Sequence, residues 1–189
     1  MTSSPAMQRT DPAGVAVNRY LTFTLNDEAF ALDIFHVKEI LEYRPVTVVP
    51  MVPEFIRGVI NLRGRAVPVI DLAIRFARGS TTVRRRTSII IVHIAAPGDG
   101  LPAEDGELKP GGQDIGILVD AVSKVIELAE RDMEPAPSFG AGIRADYISG
   151  MARRDDDFLI VLDVSRALSI ADMAGLADLA ETASPDGAG

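Results

Sequence analysis

The segment RGVINLRGRAVPVIDL, residues 57 to 72, carries two glycines six positions apart with arginines on either side of the second. Glycine and cationic residues in such proximity raise the possibility of phosphate binding. A P-loop, however, runs Gly-x4-Gly-Lys-Ser/Thr into a helix, because backbone amides and a lysine must converge on the phosphates. Here Gly64 is followed by Arg65, Ala66 and an apolar, branched run, so the pattern predicts a structural hairpin. The other chemistry-bearing residues are sparse. Histidine occurs twice, as His36 and His93, and cysteine is absent. That leaves little material for a Ser-His-Asp triad or a histidine metal cluster and none for thiolate catalysis, disulfides or thiolate zinc sites. Asp71 and Asp163 are possible acid-base groups, but each ends a similar strand, which points to a repeated structural task such as capping the next helix. Counting from Asp155, an EF-hand would need glycine at its sixth position and a bidentate acid at its twelfth, where Ile160 and Arg166 stand. RRDDD at 153 to 157 therefore reads as a solvated turn. Arg84-Arg85-Arg86 has positive charge without the interleaved aromatics that stack bases, and reads as an exposed connector.

Composition narrows the classes further. Asp and Glu number 27 against 19 Lys and Arg, a net charge of -8, which is the wrong sign for gripping nucleic acid or an anionic membrane. With 189 residues, of which 47% are hydrophobic, the chain can bury a substantial core as one large domain or two small ones. The apolar run SIIIVHIAA from Ser88 is too short to cross a bilayer, and the opening residues lack an apolar signal segment. Residues 1–19 are expected to form a flexible tail, and the lack of cysteine suits a reducing cytoplasm.

Such chemistry as exists must be positioned mainly by strands. Leu21, Phe23 and Leu25 alternate, Asn26-Asp27 marks a turn, and Phe30 and Leu32 resume the alternation, predicting a hairpin. Asp33 is expected to cap a short helix with Ile34, Val37, Ile40 and Leu41 on one face and Lys38, Glu39 and Glu42 near solvent. A strand is expected at Val46 to Val49. Residues 59–62 and 66–72 predict a hairpin turning at Arg63-Gly64, with Pro68 at an edge or barrel bend. Residues 87–94 and 114–128 read as strands around a Gly/Pro/acid-rich insertion at 96–112, expected as an exposed loop. Residues 147–164 read as strand, turn, strand, and Ser169 with Asp172 begins a predicted C-terminal helix, so that 169–189 forms helix and tail.

Two internal echoes organise these elements. VPVIDLAIRF (67 to 76) resembles LIVLDVSRAL (159 to 168), aligning Asp71 with Asp163. ALDIFHVKEI (31 to 40) resembles LVDAVSKVIEL (118 to 128), aligning Asp33 with Asp120. The similar offsets predict two related β modules, approximately 20–84 and 85–168 with strands able to swap between them. Small barrels would close their own sheet edges.

FIRGVINLRGRAVPVIDL, with YLTFTLNDEAFALDIFHVKEI before it and GILVDAVSKVIEL after it, closely resembles the CheW family of bacterial chemotaxis coupling proteins. The similarity runs from about Tyr20 to Ser169 and includes the ordered core GVxNLRGxxxPxxDL. The resemblance implies a mainly β fold of two packed, five-stranded SH3-like barrels, with short helices and a C-terminal helix. It implies a non-enzymatic adaptor with no cofactor. Its partners would be the cytoplasmic tips of methyl-accepting chemoreceptors and the regulatory domain of the histidine kinase CheA, or a CheA-like kinase of another motility or developmental pathway. Location would be cytoplasmic, at membrane-associated receptor arrays, without membrane insertion or nucleic-acid binding. By matching motifs, the receptor-facing candidates are Val37, Glu39, Gly58, Asn61, Arg63 and Ile89. EPAPSF resembles a kinase-meeting segment, giving Phe139, with Leu21 and Ile34 as a second kinase contact. The 96–112 insertion departs from the compact family pattern.

Overall fold

The computed structural model describes residues 9–10, 12–95, 111–136 and 145–168. The predicted C-terminal helix, Phe139 and most of the insertion lie outside them. In chain order the strands are β1 (Arg9–Thr10), β2 (Ala16–Leu25), β3 (Glu28–Asp33), β4 (Val37–Glu42), β5 (Ile56–Leu62) and β6 (Arg65–Asp71). They continue as β7 (Ser88–Ile94), β8 (Gln113–Val119), β9 (Ala121–Ala129), β10 (Met133–Glu134), β11 (Ile148–Arg154) and β12 (Asp157–Leu162). Two single-turn helices, α1 (Leu72–Arg75) and α2 (Val164–Ala167), follow β6 and β12. The fold is mainly β, as expected.

The strands form two sheets with the same plan. One runs β9-β2-β3-β12-β11-β10, with β1 also on β2; the other runs β4-β7-β8-β6-β5. In each, a hairpin (β2-β3 or β7-β8) meets its neighbour through a parallel pair, β3 with β12 or β8 with β6. The edge strands of each sheet are also close in the chain. β9 and β10 are joined through one 3-10 turn at Glu130–Asp132. β4 leads to β5 through a connector whose Thr47 bridges Val59 by two hydrogen bonds of 2.8 Å. Each sheet thereby curls toward closure, which leaves few unpaired edges.

The division of the chain is not into halves. Residues 37–119 supply the second sheet, and the two flanking parts supply the first. The chain crosses between units after Asp33 and again after Asp120, the two aspartates aligned by the second echo.

This exchange explains the apolar runs. On β7, Ile89 and Ile91 point into the second unit with Ile60, Val67, Val69 and Leu118. Ile90, Val92 and Ile94 join a larger cluster between the units, with Phe23, Phe30 and Leu32 from the first and Ile117 and Phe76 from the second. Tyr20, Ala31, Ala152, Leu159 and Val161 fill the first unit. Strands buried on both faces read as continuous hydrophobic sequence rather than as alternation.

Three expectations need correction. Asp33 does cap, its Oδ1 accepting from Phe35 N at 2.9 Å, but only one 3-10 turn, Ile34–His36, follows. Residues 37–42 then form β4, with Val37, Glu39 and Leu41 half-buried and Lys38, Ile40 and Glu42 exposed. Pairing with β7 from Val37/Val92 to Glu42/Ser88 overrides the helical spacing. The expected strand at 46–49 is reduced to the Thr47 bridge. Residues 16–19, assigned to the tail, belong to β2, where β1 and β9 flank them.

The turns follow the sequence closely. Asn26 and Asp27 (φ 49° and 65°) and Arg63 and Gly64 (φ 52° and 81°) are the paired left-handed residues of two-residue hairpins. Pro68 sits opposite Val59, whose amide and carbonyl both turn toward Thr47, so the missing proline N–H removes no β5–β6 bond.

The first echo has a structural meaning too. Asp163 caps α2 by accepting from Arg166 N at 3.1 Å. Asp71 caps α1 from Ala73 N at 3.0 Å and, fully buried, also accepts from Thr81 N and Thr81 Oγ1, each at 2.8 Å. Arg75 of α1 then donates to Ala167 O of α2 at 3.3 Å, and its guanidinium lies over the rings of Phe55 and Tyr147. Replacing Asp71 by Ala strands two buried Thr81 donors besides the cap, an expected loss of about 2–4 kcal/mol, whereas Asp163→Ala should cost about 1 kcal/mol. Denaturant unfolding of both variants checks this; equal losses would reject the buried clamp.

Candidate docking surface

The seam between β4 and β5, the two edges of the second sheet, gathers most of the motif residues. The Arg63-Gly64 turn projects Arg63 into solvent, where its guanidinium meets Glu39 of β4 at 3.0 Å. Arg63 is 76% exposed and Glu39 29%, so this is a surface pair of small net energy, suited to selectivity more than to stability. Asn61 shapes the turn: its Oδ1 accepts from Gly64 N at 2.9 Å.

Gly58 is required by the chain itself. With φ at 148°, a Cβ there would stand 2.2 Å from Thr47 O and 2.8 Å from Thr47 C. Val46 and Thr47 of this chain therefore occupy the close approach that Gly58 permits and close the barrel, so the glycine is needed by the fold rather than by a partner. Val37 is half-buried on Glu39's strand and packs against the central cluster.

Two further candidates are displaced by burial. Ile89 is 0% exposed, inside the second unit beneath β4, and Leu21 is 2% exposed in the central cluster. Alternation puts both side chains into apolar packing, so neither presents a surface to a partner. Ile34 lies half-buried in the 3-10 turn, while its neighbour Phe35 is 82% exposed, edge-on to His36. Phe35 went unnoticed in the sequence because a helical reading of 34–41 gave it no special place. The Asp33 cap, which ends the strand there, is the signal that could have found it.

Beside the seam lies a carboxylate that the sequence did not single out. Asp114 of β8, 11% exposed, accepts from Lys38 Nζ at 3.0 and 3.1 Å and faces His93 Nδ1 at 2.7 Å and Arg65 at 3.9 Å. Lys38 precedes Glu39, and Arg65 follows the Arg63-Gly64 turn. One anion thus ties together the strands that carry the exposed pair. Burial pushes the Asp114 carboxyl up, but the hydrogen bonds from His93 and Lys38 and their charges outweigh it and hold the group below its ordinary 3.8. Nothing local marks Asp114, since its partners come from β4, β6 and β7.

The arrangement offers charged selectivity beside partly exposed apolar side chains such as Ile40, which is the chemistry of a protein-docking surface. Among the described residues, no group of three His, Asp or Glu side chains is placed to hold a metal ion.

Comparison with known proteins agrees in extent. Residues 19–172 match the family described as CheW-like domain. The chain is 33% identical over 171 residues to the chemotaxis protein CheW of Klebsiella aerogenes, covering 90% of this chain and 93% of that one. It is 31% identical over 159 residues to that of Treponema pallidum, covering 84% and 86%. The crystal structure of scaffolding protein TtCheW from Thermoanaerobacter tengcongensis superposes with a TM-score of 0.66 at 35% identity, covering 82% of this chain and 90% of that one.

The Asp114 cluster has a pH signature. A carboxyl with a depressed folded-state pKa contributes stability that is complete above its ordinary 3.8 and disappears as pH falls through the lower folded value. Asp114→Asn should cost about 1–3 kcal/mol at pH 7, and the gap from the unsubstituted protein should narrow as pH drops below 3.8. Unfolding midpoints across that range measure it, and a gap independent of pH would contradict the assignment.

Proposed function

The chain belongs to the CheW family, and on that premise we propose that it is a non-enzymatic adaptor placing the histidine kinase CheA under chemoreceptor control. The observation that carries the reading is the exposed Glu39–Arg63 pair, set across the seam of a chain that is CheW-like from 19 to 172. Receptor tips dock on this seam. Glu39 and Arg63 discriminate among partners by charge, while Val37 supports Glu39's strand from below and Asn61 and Gly58 keep the hairpin and the barrel closure in shape. Paired charges at a rim chiefly set encounter rate and specificity, which suits a partner that must be chosen among similar helical hairpins.

The kinase regulatory domain takes a second face. Ile34 and exposed Phe35 at the first crossover supply apolar anchors there, and Phe139 of the EPAPSF segment is a separate candidate for kinase contact. Aromatic and branched anchors bury large area at low entropic cost, so a few of them can dominate an interface. Two faces permit simultaneous contact, and the output is altered kinase control with no bond made or broken by this chain. The working location is the cytoplasmic side of membrane-associated receptor arrays.

Arg63→Glu should weaken binding to a receptor cytoplasmic hairpin by about 2 kcal/mol, roughly thirtyfold, and leave both thermal stability and kinase-domain affinity unchanged. The exchange Arg63→Glu with Glu39→Arg restores the local pair and should recover part of the loss. Undiminished receptor binding by Arg63→Glu would remove the seam from the interface. Phe139→Ala should show the opposite pattern, losing kinase-domain affinity on a similar scale with receptor binding intact. Calorimetric titration with each partner alone, then with both together, distinguishes the two faces.

A further inference from the structure

The connector between α1 and β7 displays Arg84, Arg85 and Arg86 on a turn that is fastened without their side chains. Arg84 N donates to Thr87 Oγ1 at 2.7 Å, Thr87 N donates to Arg84 O at 3.1 Å, and Ser88 Oγ donates to Arg86 O at 3.0 Å. Thr87 is buried, and its carbonyl accepts from Tyr43 N at 3.0 Å, anchoring the turn to the end of β4. All three arginines are exposed, and among the described residues none of them enters an ion pair. Three consecutive arginines without ion-pair partners among the described residues concentrate like charge on one turn, on a chain of net charge -8.

The turn forms one wall of an open depression of about 360 Å³ where the two barrel units meet. The facing wall is the β2–β3 turn with the second crossover, and it is equally fixed. Asp120 N donates to Thr24 O at 3.0 Å, Asn26 N donates to Asp120 Oδ2 at 2.7 Å, and Asn26 Nδ2 donates to Arg78 O at 2.6 Å. Because the backbone of both walls is held before any ligand arrives, the ordering cost of binding falls mainly on the arginine side chains.

We propose that this depression docks an acidic segment of a protein partner, with Arg84, Arg85 and Arg86 receiving its carboxylates. The planar guanidinium fork matches a carboxylate in two-point geometry. A protein segment is favoured over nucleic acid by the rest of the lining. Asp27 and Asp120 stand in the same depression, where a continuous phosphate backbone would meet them, whereas a peptide can set its own amides or a cation there. No lining residue is aromatic, so bases find no stacking platform. The site uses none of the residues assigned to receptor or kinase contact, so it stands or falls independently of that reading.

The test uses the full-length chain and a fluorescein-labelled hexaglutamate peptide, followed by fluorescence anisotropy at low ionic strength. An oligothymidylate of equal charge is the comparison probe. R84Q/R85Q/R86Q should lower peptide affinity by about tenfold or more, with the thermal unfolding midpoint unchanged because the turn's hydrogen bonds do not use the guanidiniums. R153Q/R154Q, altering an exposed pair elsewhere, should leave affinity within about twofold. D27N, removing a repelling carboxylate, should tighten binding. The proposal is overturned if the unsubstituted protein does not bind the peptide, if the triple variant binds it undiminished, if R153Q/R154Q loses as much, or if the oligonucleotide binds more tightly than the peptide.

Discussion

The structure depends on one constraint: two curled sheets that exchange strands must share the apolar surface between them. An aromatic row runs through that surface. Phe23 stacks on Phe30 (5.9 Å between centroids), Phe30 on Phe76 (6.1 Å), and Phe76 meets Tyr147 (6.0 Å). Phe23, Phe30 and Tyr147 come from the first unit and Phe76 from the second, so the row passes through both. Each such contact adds directional preference to area burial. The chain passes between the units at Asp33 and Asp120, so the first unit is discontinuous, its two parts flanking the contiguous second unit in the chain.

The same constraint builds the candidate docking seam. Closing the second unit brings β4, which arrives from the crossover, against the connector and hairpin of β5 and β6. Gly58 permits the Thr47 bridge, Asn61 sets the turn, and Asp114 gathers Lys38, His93 and Arg65 from three different strands. Glu39 and Arg63 are thus positioned by groups that contribute to folding, and their own pairing adds little stability because it is exposed. Selectivity at the surface rests on rigidity beneath it.

Duplication is used unequally. Asp71 and Asp163 both cap one-turn helices at the ends of equivalent strands. Only Asp71 is buried and extended by Thr81, so its connector is pinned where Asp163's neighbourhood is more open. That pinned connector leads to the arginine turn. The second unit therefore bears both the Glu39–Arg63 pair and the unneutralised guanidiniums.

Local chemistry was legible in the residues: the two left-handed hairpin turns and the aspartate caps. Each of these is decided by a few neighbouring residues, whose φ preferences and short-range hydrogen bonds do not wait for distant partners. Residues 37–42 were not legible as a strand, because VKEILE satisfies helical spacing and only pairing with β7 decides the matter. Leu21 and Ile89 carried partner-facing roles by motif, yet alternation along two-sided strands puts them inside. Which unit each strand joins, which side of a strand is covered, and the convergence on Asp114 belong to the tertiary structure. They are set by contacts between residues far apart in the chain, and no single stretch of sequence contains both halves of such a contact.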